Sequence, residues 1–149
     1  MNLKQLNILH ADDDMDDCAF FKEALDELQL PTCHISVHDG DELMTYLGNE
    51  KNDLPHVLFL DLNMPRKDGS ECLTEIKFNE RLKALTVVIF STSMEPQLLK
   101  TLYKNGAHYY IRKPANLTKF KAIIQQTFVE LIAQKNISQP NQDHFVLTA

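Results

Sequence analysis

Short apolar runs alternate with longer stretches of helical spacing along this chain, and this alternation restricts the available folds more than any other feature. Five runs have the length and composition of β-strands: residues 5–11, 33–38, 56–61, 84–91 and 108–112. Strands that alternate with helices usually form one parallel sheet, because right-handed crossovers place the helices on its two faces. The sequence therefore predicts an α/β protein built on an open parallel sheet.

Apolar residues at helical spacing follow each of these runs. The predicted helices cover residues 17–28, residues 41–47, a segment that begins after Gly69, residues 97–104 and residues 117–131. Asp41 is a candidate cap for the second helix, and Pro96 suits the first turn of the fourth. The last residues are polar apart from one apolar group, so we expect a domain over residues 1–133 and an extended or partly disordered tail over residues 134–149.

The charge balance excludes two classes of partner. The chain carries 15 basic and 21 acidic residues, a net charge of −6. Non-specific binding to nucleic acid or to an anionic membrane requires a basic surface. No apolar run is long enough to span a membrane, and the N-terminus lacks the features of a signal peptide. Cys18, Cys33 and Cys72 are odd in number and lack ligand-like spacing, which indicates reduced thiols in a cytoplasmic protein.

Polar and charged residues follow four of the five predicted strands. They are Asp12 and Asp13 after the first strand, Asp61 at the end of the third, Ser91 and Thr92 at the end of the fourth, and Lys113 after the fifth. Open parallel sheets bind their ligands beyond the carboxyl ends of the strands. We therefore expect these side chains to meet in one site at that edge.

Three carboxylates in one partly buried site repel each other unless a positive charge lies among them. A hard divalent cation with oxygen ligands, Mg²⁺ or Mn²⁺, fits this requirement. Asp61 can then attack phosphorus as a carboxylate nucleophile, while Lys113 supplies a second positive charge to the phosphoryl oxygens. The sequence contains no glycine-rich phosphate loop, so a nucleotide is not the evident phosphate source.

Four motifs in order, ILHADDD, LDLNMPRKDG, FSTS and GAHYYIRKP, resemble the response-regulator receiver domains of two-component signalling. The similarity covers residues 6–131, and the residues within the motifs most resemble those of stand-alone receivers of the bacterial phytochrome-associated type. The resemblance implies a three-layer sandwich with a five-stranded parallel sheet of order 2-1-3-4-5. It also implies a single-domain response regulator that receives a phosphoryl group from a sensor histidine kinase and signals through protein–protein contacts, without turnover of other substrates.

The resemblance assigns roles around the acceptor. Asp61 is the phosphoacceptor, and the metal ligands are Asp12, Asp13, Asp61 and the backbone carbonyl of Asn63. Lys113 pairs with the phosphoryl group, and the Lys113–Pro114 peptide bond is expected to be cis.

The resemblance also implies a switch. Ser91 takes the position of the switch hydroxyl, Thr92 the neighbouring small-residue position, and Tyr110 that of the aromatic rotamer switch. Two residues depart from the family pattern: His10 replaces a usual aliphatic residue, and Ser91 replaces the commoner Thr. Neither change removes a reactive group. We interpret His10 as a neutral, buried histidine with a hydrogen-bond partner.

Other interpretations of the acidic cluster compete with this one. An acidic start of a helix is one of them, since Asp favours first turns. A calcium loop is another, with matches at Asp12, Asp14, Asp16 and Glu23. Against the calcium loop, Asp17 stands where the turn needs Gly, and a strand precedes the cluster instead of a helix.

Two further functions share the acceptor chemistry. A haloacid-dehalogenase-type phosphatase also uses a nucleophilic Asp and Mg²⁺, but it places a second Asp two residues later, where this chain has Asn63. A phosphorylation-independent docking module would not need the complete set of reactive residues.

The fourth predicted helix carries two apolar stripes, Leu98 with Leu102 and Leu99 with Tyr103. One stripe is enough to bury the helix against the sheet. If Leu98 and Leu102 point inward, Leu99 and Tyr103 are exposed near Tyr110. We expect Leu99, Tyr103 and Tyr110, the output face, to contact a partner or a second copy in a homodimer. The alternative is one broad buried stripe.

Overall fold

The computed structural model describes residues 5–133 and 139–147. Its strands are β1 Leu6–Ala11, β2 Thr32–Val37, β3 Val57–Asp61, β4 Thr86–Ser91, β5 Tyr109–Arg112 and β6 Val146–Leu147. Its α-helices are α1 Met15–Glu27, α2 Gly40–Gly48, α3 Gly69–Phe78, α4 Pro96–Lys104 and α5 Leu117–Ala133. Among the described residues, no helix combines the length and the apolar character that crossing a membrane requires.

All strand pairs are parallel, and the sheet order is β2-β1-β3-β4-β5-β6. The predicted parallel sheet and the order of its first five strands are confirmed. The prediction of five strands is wrong by one, because β6 adds to the edge of β5. Every residue of β3 and β4 is buried, as expected for central strands covered on both faces.

Two apolar clusters lie on the two faces of the sheet. One packs α2, α3 and α4 against it and includes Leu9, Leu58, Leu60, Val87, Ile89 and Tyr110. The other packs α1 and α5 and includes Ile8, Phe59, Val88, Phe90, Ile111 and Phe128. The alternation of side chains along each strand divides β1, β3, β4 and β5 between these clusters. The layers therefore hold the carboxyl ends of the strands at one edge.

Asp residues fix where three helices begin. Asp14 accepts hydrogen bonds from the backbone amides of two residues in the first turn, so α1 begins two residues before the prediction. Asp39, and not the predicted Asp41, caps α2, because its extended backbone lets the side chain accept the amide of Glu42 at 2.7 Å. Asp68 forms a capping box at the start of α3.

The tail predicted over residues 134–149 is largely ordered where it is described. Residues 134–138, 148 and 149 lie outside the described part of the chain. Residues 139–147, the C-terminal segment, contain a 3-10 turn at Gln142–His144 and the strand β6. The Phe145 side chain is 1% exposed and packs in the apolar cluster beside α4.

The exposure predicted for Leu99 and Tyr103 is wrong. Both are half-buried and pack against the core cluster, which also contains the fully buried Tyr110. Leu98, expected to point inward, is also only half-buried, so α4 buries one broad stripe. The reason is the C-terminal segment, which lies on Tyr103 with Phe145 at a ring-centroid distance of 5.2 Å. Contact of this face with a partner remains a prediction.

Candidate functional site

Three predicted carboxylates meet where β1 and β3 end. The register pairs Ala11 with Leu60, so Asp12 and Asp61 are neighbours at the sheet edge. Asp12 is 0% and Asp61 4% exposed, while Asp13 is exposed. Ligand oxygens of the three side chains lie within 4.8 Å of one another. The described residues contain no other cluster of this kind, so the structure concentrates the acidic chemistry at this one edge.

Backbone groups hold the two buried carboxylates in place. The Asp14 amide donates to Asp12 Oδ1 at 2.9 Å, and the Asn63 amide donates to Asp61 Oδ1 at 3.3 Å. Gly69 lets α3 begin beside the acceptor, because a β-carbon there would collide with the carbonyl oxygen of Asp61. One oxygen of each carboxylate is thereby fixed by the backbone, and the other is directed into the site.

Lys113 Nζ links these free oxygens. It lies 3.0 Å from Asp12 Oδ2, 3.4 Å from Asp61 Oδ2 and 2.9 Å from Asp17 Oδ2. The structure thus brings Lys113 together with the two strand-end carboxylates. Asp17 was missed as a member of this site. Its signal was its position in the first turn of α1, which turns the side chain back toward the strand ends.

Burial and mutual contact shift the pKa values within this group. Burial raises the pKa of Asp61, and the neighbouring Asp12 raises it further against the pull of Lys113, to about 7. Burial also acts against the charge on Asp12, but His10 and Lys113 outweigh it and lower the pKa of Asp12. For Lys113, the carboxylates outweigh burial and raise the pKa of the ammonium. Lys113 and Asp12 are therefore a charged pair at neutral pH, with Asp61 near its titration point.

The raised pKa of Asp61 predicts a pH effect on stability. The folded chain binds a proton at Asp61 more readily than the unfolded chain does between about pH 4 and about pH 7. The stabilising contribution of this proton is therefore full at low pH and is lost as the pH rises through this window. Without divalent metal, we expect Asp61→Asn to unfold with a free energy higher than wild type by on the order of a few kcal/mol at pH 8.

The difference in unfolding free energy between Asp61→Asn and wild type should shrink toward pH 5, and urea denaturation at pH 5 and pH 8 measures it. Comparing the variant with wild type at each pH cancels the contributions of other groups with shifted pKa values, such as half-buried His34 and buried His108. Asp53→Asn, at an exposed position before β3, is the control and should change stability equally at both pH values. A gap that stays constant from pH 5 to pH 8 would contradict the raised pKa.

The predicted switch residues lie beside this group. Ser91 is 1% exposed, and its Oγ accepts the backbone amide of Ser93 at 3.2 Å. The Tyr110 hydroxyl donates to the backbone carbonyl of the same Ser93. Thr92 is exposed and lines an open pocket of about 520 Å³. Arg112, Lys113 and Lys119 also line this pocket, so the surface on that side of Lys113 is basic although the protein is acidic overall.

His10 is buried as predicted, at 1% exposure, and stacks on Phe21 with ring centroids 4.1 Å apart. Burial lowers the pKa of His10, so the ring is neutral. Its Nε2 faces Asp12 Oδ2 at 3.6 Å, a long contact that still helps to lower the pKa of Asp12, and Nδ1 has no partner among the described residues. The residue fills space beside Asp12.

Two other expectations are settled by geometry. The Lys113–Pro114 peptide bond, expected to be cis, is trans, which is the isomer favoured by about 0.5–1 kcal/mol before proline. The calcium loop is excluded because Asp14 caps α1, and Glu23 pairs with Lys121 at 3.0 Å instead of turning toward the acidic cluster.

The donor set fits a hard divalent cation. Carboxylate oxygens at this separation are the ligands that such ions take, and the buried pair carries more negative charge than Lys113 alone offsets. Asn63 is exposed two residues after Asp61, so its backbone carbonyl can join the same ligand sphere. Chemically, the site combines a backbone-oriented carboxylate, an ammonium group beside it, a buried hydroxyl and oxygen ligands for a metal.

Comparison with known proteins identifies the family of this chain. Residues 8–125 match the family model of the response regulator receiver domain. Response regulator Rcp1 of Synechocystis is 32% identical over 122 residues, which cover 79% of this chain and 83% of Rcp1. A probable methanogenesis regulatory protein of Methanothrix harundinacea, FilR2, is 33% identical over 93 residues; the match spans 60% of either chain.

Solved structures show the same fold. The phosphorylated cyanobacterial phytochrome response regulator RcpA superimposes with a TM-score of 0.83 at 33% identity, over 87% of this chain and 96% of RcpA. The Mn²⁺-bound form of Rcp1 gives a TM-score of 0.80 at 29% identity, over 91% and 99%. The chain belongs to the response regulator receiver domain family of two-component phosphorelay signalling.

Proposed function

We propose that this protein is a single-domain response regulator that accepts a phosphoryl group on Asp61 from a histidine kinase in a Mg²⁺-dependent reaction. The observation that carries this proposal is the contact of Lys113 Nζ with both Asp12 and Asp61 at the carboxyl edge of the sheet. A buried, backbone-held carboxylate with an ammonium group at its free oxygen is suited to in-line attack on phosphorus. Output then passes through protein–protein contacts.

The transfer step balances as a displacement at phosphorus. The free oxygen of Asp61 forms the new O–P bond, the N–P bond of the kinase phosphohistidine breaks, and the departing imidazole nitrogen keeps the electron pair and takes up a proton. Ionised Asp61 is the reactive form, and its pKa of about 7 leaves a large fraction ionised at neutral pH. The backbone amide of Asn63 holds the other oxygen and so orients the attack.

Three residues complete the reacting group. The Lys113 ammonium already contacts the Asp61 carboxylate, so it can also bind an oxygen of a phosphoryl group carried by Asp61. The Ser91 hydroxyl, buried at the end of β4, donates to a second phosphoryl oxygen. Thr92, at the neighbouring small-residue position, is exposed beside Ser91.

A bound Mg²⁺ or Mn²⁺ would neutralise charge on the phosphoryl oxygens. Asp12, Asp13 and Asp61 would hold it through side-chain oxygens and Asn63 through its backbone carbonyl. The solved Mn²⁺-bound form of Rcp1 supports a divalent ion in this fold.

The partner we propose is a sensor histidine kinase of the phytochrome type, because Rcp1 and RcpA are among the most similar proteins and RcpA is a phytochrome response regulator. A homodimer is the second partner we propose. Because the protein has a net charge of −6, neither nucleic acid nor an anionic membrane is a suitable partner. A cytoplasmic location follows from the proposed kinase partner.

The proposed function is tested by incubating the protein with an acyl phosphate, with and without Mg²⁺, and measuring intact mass. We expect one added phosphoryl group per chain with Mg²⁺ and little without it. Catalytic release of phosphate without a stable adduct would support the phosphatase alternative, which the Asn at position 63 disfavours. No adduct under either condition would support the docking module and overturn the proposal.

Mg²⁺ should also stabilise the folded protein, because it binds the acidic site and offsets repulsion between carboxylates. At a hundredfold excess over Kd, we expect the free energy of unfolding to rise by about 2.7 kcal/mol, provided the unfolded chain does not bind the ion. Thermal denaturation across millimolar Mg²⁺ measures this effect. Asp13→Asn should shift less than wild type, and an unchanged melting curve for wild type would exclude the metal site.

A further inference from the structure

The C-terminal segment fills the output face with specific contacts. The Phe145 side chain packs against the Tyr103 and Tyr110 rings, at centroid distances of 5.2 and 6.2 Å. The Tyr103 hydroxyl donates to the Pro140 carbonyl at 2.6 Å. Gln139 Nε2 donates to the carbonyls of Tyr103 and Ala107 at 2.5 and 2.9 Å. The segment therefore covers this face as a bound peptide would.

The same segment continues the sheet. The Tyr110 backbone amide donates to the Phe145 carbonyl at 2.9 Å, and the register pairs Tyr110 with Val146 and Ile111 with Leu147. Addition of an extended segment to a sheet edge, with one aromatic side chain in an apolar pocket, is a common mode of peptide recognition. The pairing covers only two residues of β6, so its backbone contribution is small.

Tyr110 connects this face to the acceptor site. Its ring contacts Phe145 on one side, and its hydroxyl donates to the carbonyl of Ser93 in the loop between β4 and α4. The amide of Ser93 in turn donates to Ser91 Oγ, the hydroxyl assigned to the phosphoryl group. Three consecutive contacts thus join Ser91, at the end of β4, to the C-terminal segment.

We propose that the C-terminal segment is an internal ligand of the output face, displaced when Asp61 is phosphorylated. This inference rests on the proposed function. A Ser side chain occupies one staggered rotamer at a time, so Ser91 Oγ that turns toward a phosphoryl oxygen gives up the Ser93 amide. The loop that positions the Tyr110 hydroxyl then rearranges, and the pocket for Phe145 is lost. Phosphoryl binding and docking of the segment are competing states.

The freed face has a defined preference for partners. It offers the β5 edge to an extended segment of a partner, which would pair with Tyr110 and Ile111 as β6 does without an aromatic side chain in the pocket for Phe145. Phosphorylation thereby exposes a strand-accepting surface on a protein that otherwise occupies it with its own residues.

Hydrogen–deuterium exchange of the full chain, with and without acyl phosphate and Mg²⁺, tests this inference. Intact mass on the same samples gives the phosphorylated fraction. We expect amide exchange at Tyr110 and across residues 141–147 to accelerate at least about fivefold in the phosphorylated chain. About fivefold is the lower end of the factors by which two coupled sites usually change each other's binding equilibrium. Absence of an adduct contradicts the proposed function, whereas an adduct with unchanged exchange overturns only the coupling.

Variants test the reciprocal effect. Phe145→Ala should accelerate exchange without phosphodonor and raise the phosphorylated fraction at limiting acyl phosphate. Tyr103→Phe keeps the ring and removes only the bond to Pro140, so it should act in the same direction with no cavity in the core. Phe78→Ala, at a Phe that is 85% exposed at the end of α3, is the control and should change neither quantity. Faster exchange in Tyr103→Phe with an unchanged phosphorylated fraction overturns the coupling.

A labelled peptide with the sequence of residues 139–147 tests the competition directly. The full-length Phe145→Ala variant, whose own segment no longer fills the pocket, should bind this peptide at least about fivefold more weakly when it is phosphorylated than when it is unphosphorylated. A peptide with Ala at position 145 should lose this preference. Equal binding of the native peptide to both forms overturns the displacement.

Discussion

Replacing Asp61 by Asn is expected to abolish the phosphoryl adduct that wild-type protein forms with acyl phosphate and Mg²⁺. An amide is a poor nucleophile, and the remaining carboxylates cannot take its place. Asp12 is held by the Asp14 amide and Lys113, and exposed Asp13 accepts no backbone amide from the described part of the chain. The rate of adduct formation should fall at least about a thousandfold, as expected when a nucleophile is removed. Intact mass against time measures it.

Two comparisons make this result specific. Asp53→Asn lies in the loop before β3, at the opposite edge of the sheet, and should be labelled as fully as wild type. Asp61→Asn should remain folded and, without metal above pH 7, be more stable than wild type, so loss of the adduct cannot be attributed to unfolding. Labelling of Asp61→Asn at the wild-type rate would place the acceptor elsewhere.

Removing Lys113 is expected to have the largest effect on stability. Its ammonium is the positive charge that contacts Asp12, Asp17 and Asp61, and its side chain is only 11% exposed. Without it, buried carboxylates face each other uncompensated. We expect Lys113→Ala to lower the free energy of unfolding by about 3–5 kcal/mol at pH 8 in metal-free buffer, the range for breaking a buried ion pair from one side.

The cause can be separated from loss of packing. Mg²⁺ should restore part of the lost stability, because it supplies positive charge to the same oxygens. Asp61→Asn combined with Lys113→Ala should be less destabilised than Lys113→Ala alone, since one buried charge is then absent. Lys22→Ala, which removes an exposed pair with Asp26, should cost less than about 1 kcal/mol. Equal losses in the single and double variants would show that packing dominates.

The sequence predicted the sheet and the site because both depend on local signals. A run such as Thr86–Ser91 is entirely apolar or small, and a short run of this kind is typical of a strand buried on both faces. The carboxyl ends of parallel strands lie at the same edge of a sheet. Asp12, Asp61 and Lys113 could therefore be assigned to one site from the sequence alone. Asp17 could not be assigned in this way, because its contact with Lys113 depends on the direction of a side chain on α1.

The output face could not be predicted from α4 alone. Apolar residues on two sides of that helix indicate burial or a partner, and the sequence does not say which segment of the chain covers them. The covering strand β6 is two residues long, too short for a period of alternation to be recognised. The cap of α2 was misplaced for a similar reason: Asp39 and Asp41 are equally good caps, and only the backbone conformation selects Asp39.

The short sixth strand also bears on how the protein behaves in concentrated solution. Without it, the free edge of the sheet would be β5, whose Tyr109, Tyr110 and Ile111 form an aromatic and β-branched stretch of the kind that pairs with other chains. A two-residue edge strand offers few free backbone groups for such pairing and so protects against aggregation. Any change that detaches residues 139–147 should therefore lower colloidal stability, whatever it does to signalling.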